Sequence, residues 1–168
     1  PNTTAVRFLA NDIWQALGPR REQLELHIIG SKPPEDLRQL AQKDQRIKVH
    51  GFVDDIIPEL HQATVYVCPI TDGGGTKLKL LDAFASGKAV VAHPVACEGL
   101  LPKHEGNVLL AETASDFARQ IKRLLDDDQL RQKLEKNARQ HAQDQFSFAA
   151  IGKTLADYFS QVARAKGH

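Results

Sequence analysis

Three consecutive glycines, Gly73, Gly74 and Gly75, run into Thr76 and Lys77, and Asp82 follows five residues beyond the lysine. These types at this spacing suit the holding of a phosphorylated ligand. Glycine lets backbone N–H groups come close to a bound molecule. A helix N-terminus adds unpaired donors and a partial positive charge, so a glycine loop feeding a helix is receptive to phosphate. Thr76 is a suitable helix cap, and Lys77, placed one residue into the predicted helix, brings a full charge. The same local pattern also fits a plain flexible turn, with Lys77, Lys79 and Asp82 as solvent-facing helix residues. Both readings stand on the local pattern alone.

Other chemistries find less to work with. The seven histidines show no metal-ligand spacing, so no metal and no other cofactor is expected. Cys68 sits in a predicted strand as a small buried hydrophobe, and Cys97 has no base beside it in sequence. Two cysteines make no disulfide framework and suit a reducing, cytoplasmic setting. Glu98 fits two roles equally, steadying a loop through backbone amides or meeting a ligand.

The elements that must position the glycine loop are short and alternating. Residues 65–68 form an apolar, β-branched run that Pro69 ends, and Leu78, Leu81, Ala83 and Phe84 give a helical stripe after the loop. Gly87 stops that helix, and residues 89–92 read as the next strand, which completes a βαβ unit. Further strands are predicted over 24–29, 47–52 and 107–110, with a helix capped by Asn2 and running to Leu17, a second over 35–41, and a brief turn through Ile57, Leu60 and Ala63. Thr113 to Asp116 has capping-box spacing, Asp126 to Asp128 breaks one helix and caps the next, and Ser147 starts the last. Strands alternating with helices predict an α/β fold with a doubly wound, mostly parallel sheet and helices on both faces. Ligands of such sheets sit beyond the strand carboxyl ends, where Thr71 to Thr76 lie. The closing helices over 128–168 have no strand between them and need another surface to pack on.

The chain has 168 residues, enough for one domain. Its net charge of +1, with both signs mixed throughout, argues for neither nucleic acid nor an anionic membrane as partner. No apolar run approaches 18 residues, so no membrane span is expected, and no signal peptide opens the chain. It begins at Pro1 without methionine and reads as a piece of a longer protein.

Four motifs in order, LHIIG at 26–30, GFV at 51–53, DGGGTKLKLLDAFASGKAVV at 72–91 and EGL at 98–100, resemble the C-terminal domain of group 1 retaining glycosyltransferases of the GT-B fold. The resemblance implies a Rossmann-like domain spanning residues 1–168 that binds a nucleoside diphosphate sugar, uridine or guanosine based, as half of a hexosyltransferase serving a glycan or lipid-linked acceptor. It implies backbone amides of Gly73, Gly74, Gly75 and Thr76 on the diphosphate with Lys77 adding charge, Asp82 on the ribose, and Phe52 and Val53 beside the base. No catalytic residue falls in this chain under that alignment. A first strand and an N-terminal acceptor-binding domain would precede Pro1, that domain being the chain's partner, and the isolated chain would be inactive. The setting implied is cytoplasmic, at the inner face of the membrane through contacts of the missing domain. Two departures stand out: Asp82 replaces the usual glutamate, and Gly74 takes the place of an acid directed at the donor sugar. The contrasting expectation from the local pattern is a stand-alone α/β nucleotide- or phosphate-binding regulatory module. That class wants an acid cluster at the first strand's end, where Gly30-Ser31-Lys32 stands.

Overall fold

Short apolar runs and helical stripes alternate in the structure as they do in the sequence, and every strand pairing is parallel. A computed structural model describes residues 2–75 and 77–165. Helix α1 (Asn2–Arg7) continues through a π-helical stretch (Phe8–Ile13) into α2 (Trp14–Ala16), and a 3-10 segment (Gly18–Gln23) leads to β1 (Leu26–Ile29). Next come α3 (Glu35–Lys43), β2 (Ile47–His50), α4 (Ile57–Gln62), β3 (Tyr66–Cys68), α5 (Leu78–Ala85) and β4 (Val90–Ala92). A second 3-10 turn (Pro94–Cys97) precedes β5 (Leu109–Leu110), followed by α6 (Ala114–Asp126), α7 (Asp128–Phe146) and α8 (Phe148–Ala165).

The local stop and start signals act as their chemistry requires. Thr113 and Asp116 form a reciprocal capping box at α6, and the Asp127 carboxylate accepts from the Leu130 N–H at α7. Ser147 Oγ accepts from the Ala150 N–H at α8. At the end of α5, Gly87 takes φ 66°, a conformation that would strain any side-chain-bearing residue. There the Gly87 N–H reaches Phe84 O and the Lys88 N–H reaches Ala83 O, which closes the last turn as a Schellman motif. Asn2 differs from expectation. It is the first residue of α1, and its Oδ1 accepts from Lys79 Nζ at 2.7 Å rather than capping its own helix.

The single sheet expected is divided into two parallel ladders, β1–β2 and β3–β4–β5. They share one apolar layer, in which Ile28 and Ile47 of the first meet Val91 and Leu109 of the second, closed by Leu37 of α3, Ile13 and Trp14, and Phe117 and Leu124 of α6. Strand side chains alternate between faces. Val90 and Ala92 therefore point into a second layer with Leu80, Ala83 and Phe84 of α5 and Ala138 and Ala142 of α7. The β3–β4–β5 half is thus covered on both faces. In the β1–β2 half, the face turned from the shared layer carries His27, Lys48 and His50, with the two imidazoles stacked 5.1 Å apart, as the polar alternation of these two strands requires.

Each large side chain fully buried in these layers, Phe84 and Phe117 among them, contributes about 1.5–3 kcal/mol. At the edge of the first layer, Trp14 Nε1 donates to Asp44 Oδ2 at 3.1 Å. The Arg46 guanidinium, bonded to both oxygens of that carboxylate, holds its pKa well below the usual carboxylate range. Beyond the core, α8 leaves Phe148, Ile151, Leu155, Tyr158 and Phe159 exposed. Its apolar face has no partner among the described residues. No helix of the described residues is long and apolar enough to cross a membrane.

Candidate functional site

The carboxyl end of β3 delivers the chain, through buried Pro69 and Ile70, to the exposed loop 71–75. Gly73 and Gly75 take φ 87° and 81°, so glycine is needed there on conformational grounds. Gly74 has no such need: its φ is ordinary, and a Cβ built on it would meet nothing within 4 Å. A difference between two single substitutions follows. Gly75→Ala is expected to destabilise the fold by about 1–2 kcal/mol through the left-handed conformation it forces on alanine. Gly74→Ala is expected to leave thermal stability within about 0.5 kcal/mol of the parent, as an unstrained surface change should. Equal melting temperatures for the two variants would mean that the loop does not hold these angles.

Helix α5 begins at Leu78, with Lys77 in the cap position in an extended conformation, φ −86° and ψ 93°. The lysine thus precedes the helix instead of lying in its first turn. The physical reason is that its ammonium folds back on the loop, donating to the carbonyls of Gly73, Gly74 and Gly75 at 2.5, 3.0 and 3.2 Å. Thr76, expected to cap the helix and bind phosphate, lies outside the described residues.

Leu80, Ala83 and Phe84 anchor α5 inward, which leaves Lys79 and Asp82 on its exposed side. Lys79 ties this helix to the start of α1 through Asn2, so two helix N-termini meet beside the β3 end. The Tyr66 hydroxyl has its pKa pushed up, by burial first and then by the neighbouring Cys68 and Asp82. Burial raises Cys68 to about 11 despite nearby Lys79 and Lys77, and raises Cys97 to about 12. Both thiols are therefore protonated near neutral pH, and neither is poised as a nucleophile.

The remaining predicted residues sit apart. Phe52, 74% exposed, and half-buried Val53 follow β2 in the other ladder, and no hydrogen bond among the described residues joins them to the glycine loop. The loop around Glu98 is fixed from a direction the sequence does not reveal: His141 of α7 bonds Leu100 O at 2.7 Å. Asn107, buried, accepts from the Lys103 N–H, and Asn137 donates to Gly106 O, so α7 holds this whole return to β5. These contacts span 31 and 41 residues and leave no local signal. Glu98 itself is exposed. No cluster of three or more metal-ligating side chains occurs among the described residues. A separate open groove between α2 and α6, about 610 Å³ in volume, is lined by Arg119, Lys122, Asp126 and Leu130 and shares no residue with the loop.

Parallel strands with covering helices, and a glycine loop at a strand's carboxyl end, define a Rossmann-like domain. The chain belongs to the glycosyl transferases group 1 family, whose model matches residues 1–127. It is 30% identical over 131 residues to the putative glycosyltransferase YtcC of Bacillus subtilis (strain 168), covering 76% of this chain and 32% of that protein. Among solved structures it is similar to Anabaena Alr3699/HepE in complex with UDP, with a TM-score of 0.75 at 20% identity over 87% of this chain and 44% of that one. It is also similar to the C-terminal domain of the group 1 glycosyl transferase LpcC of Francisella tularensis, with a TM-score of 0.73 at 24% identity over 88% of this chain and 82% of that domain. The chain thus spans about a third of the curated relative and less than half of the Anabaena protein.

Proposed function

We propose that this chain is the donor-binding half of a group 1 glycosyltransferase, a retaining hexosyltransferase acting on a glycan or lipid-linked acceptor at the cytoplasmic face of a membrane. Backbone N–H groups of the loop Gly73 to Thr76 receive the diphosphate of a nucleotide sugar, with the charge of Lys77 close by. Asp82, exposed on the same helix, takes the ribose hydroxyls, because a carboxylate accepts two hydrogen bonds from a vicinal diol. Phe52 and Val53 flank the base. Neutralisation of the diphosphate falls to N–H groups and lysines, with no metal. The observation that carries the reading is the left-handed glycine loop delivered to the start of α5 at the carboxyl end of β3, a strand paired in parallel with β4.

The same reading gives occupants to two features of the fold. An additional strand, from outside residues 1–168, pairs between the free edges of β1 and β3 and joins the two ladders over their common core. The exposed apolar face of α8 docks on an N-terminal acceptor-binding domain. Sugar transfer needs that domain, so this chain alone should bind donor and transfer nothing.

The test is calorimetric titration with UDP, UMP and uridine. Because the main anchor is the diphosphate, UDP should bind with a dissociation constant near or below about 1 mM, worth about 4 kcal/mol, and uridine should not bind in that range. Absence of heat for UDP and for GDP at millimolar concentration would overturn the proposal.

A further inference from the structure

The Lys77 ammonium has three N–H donors, and all three have carbonyl partners in the glycine loop. In a trans peptide the C=O and the N–H point in opposite directions. The carbonyls of Gly73 and Gly74 converge on Nζ, so the N–H groups of the same two peptides, those of Gly74 and Gly75, point away from it. No hydrogen bond among the described residues uses either N–H. An anion gripped by these amides therefore lies across the loop from the ammonium. In this arrangement Lys77 and the amides cannot touch one phosphate together.

We infer that Lys77 is a positioning residue: it gathers the loop carbonyls on one side and so aims the Gly74 and Gly75 N–H groups outward at the diphosphate. This rests on the donor-binding reading above for the identity of the anion. The chemistry explains why a loop of three glycines can be receptive before ligand arrives. Three glycines have the largest conformational freedom the chain can offer, and left alone they would order only on binding. One cation bonded to three consecutive carbonyls removes that freedom in advance. Its charge still acts on the ligand through the loop, but its hydrogen bonds do not.

The clamp and direct phosphate ligation differ in the free protein. Backbone amide relaxation in the parent, without ligand, should give Gly74 and Gly75 order parameters near the rigid value of about 0.85, and Lys77→Met should drop them below about 0.6. Lys77→Arg, which keeps donors for the carbonyls, should restore most of the order. If the competent loop falls to about one-tenth of the population in Lys77→Met, the UDP dissociation constant rises about tenfold, and saturating UDP returns the loop to order from the amide side. A rigid free loop in Lys77→Met together with weakened UDP binding would overturn the inference and make Lys77 a phosphate ligand. A flexible loop in the free parent would overturn it as well. Failure of the parent to bind UDP would count against the donor reading alone, since the free-protein measurement decides the clamp without it.

Discussion

Phe84→Ala is expected to cost about 3–5 kcal/mol, the usual penalty for emptying a fully buried aromatic site. The ring is wholly enclosed between β4 and α7, edge-on to His141 with centroids 6.2 Å apart. For a domain of this length such a loss lowers the melting temperature by roughly 10 °C. Leu78→Ala, six residues earlier on the same helix and 68% exposed, should stay within about 0.5 kcal/mol of the parent. Thermal melts of the two variants check the pair, and comparable losses would show that α5 does not face the core through Leu80, Ala83 and Phe84. The consequence reaches the site, because the glycine loop is held between β3 and this helix.

Asp82→Asn should leave stability unchanged and weaken UDP binding by about 1–3 kcal/mol, the range for a hydrogen bond to a charged group. The carboxylate is exposed on α5 and has no hydrogen-bond partner among the described residues, so the fold has little stake in it. It lies four residues beyond Leu78 at the start of α5, just over one helical turn. Only a ligand lying along the helix meets both the helix start and this carboxylate, as a diphosphate at the helix start with its ribose alongside does. A 2′,3′-dideoxy nucleotide should bind the parent weakly and be nearly indifferent to the substitution. Equal weakening of the two ligands would take the ribose role away from Asp82.

What the sequence makes legible here is what is encoded within a few residues. The Schellman close at Gly87, the capping box at Thr113 and the Asp127 cap depend on contacts spanning no more than about one turn, and the βαβ order around the glycines shows in short apolar runs and a helical stripe. The need of the closing helices for another surface was legible too, in an apolar stripe with no strand to cover, and α8 stands with that stripe exposed.

What depends on distant partners was not legible. Asn2 has every property of a cap, yet its side chain is claimed by Lys79, 77 residues away. His141 carries no mark of the Leu100 carbonyl it holds. The division of the sheet follows from which strand edges meet, which no single strand encodes. Lys77 is the instructive case at the site. Its type and position suggest a hand for phosphate, whereas the geometry turns its hydrogen bonds onto the loop itself.

On the proposed function, the loop at the start of α5 receives a nucleoside diphosphate through its backbone. An amide-resolved NMR titration of this chain with UDP tests it most directly. The largest shifts should fall on Gly73, Gly74, Gly75 and Lys77, with smaller ones along α5 toward Asp82, and UMP should move the same signals less. Shifts confined to other surfaces, such as the groove between α2 and α6, with the glycine signals unmoved at millimolar UDP, would contradict it.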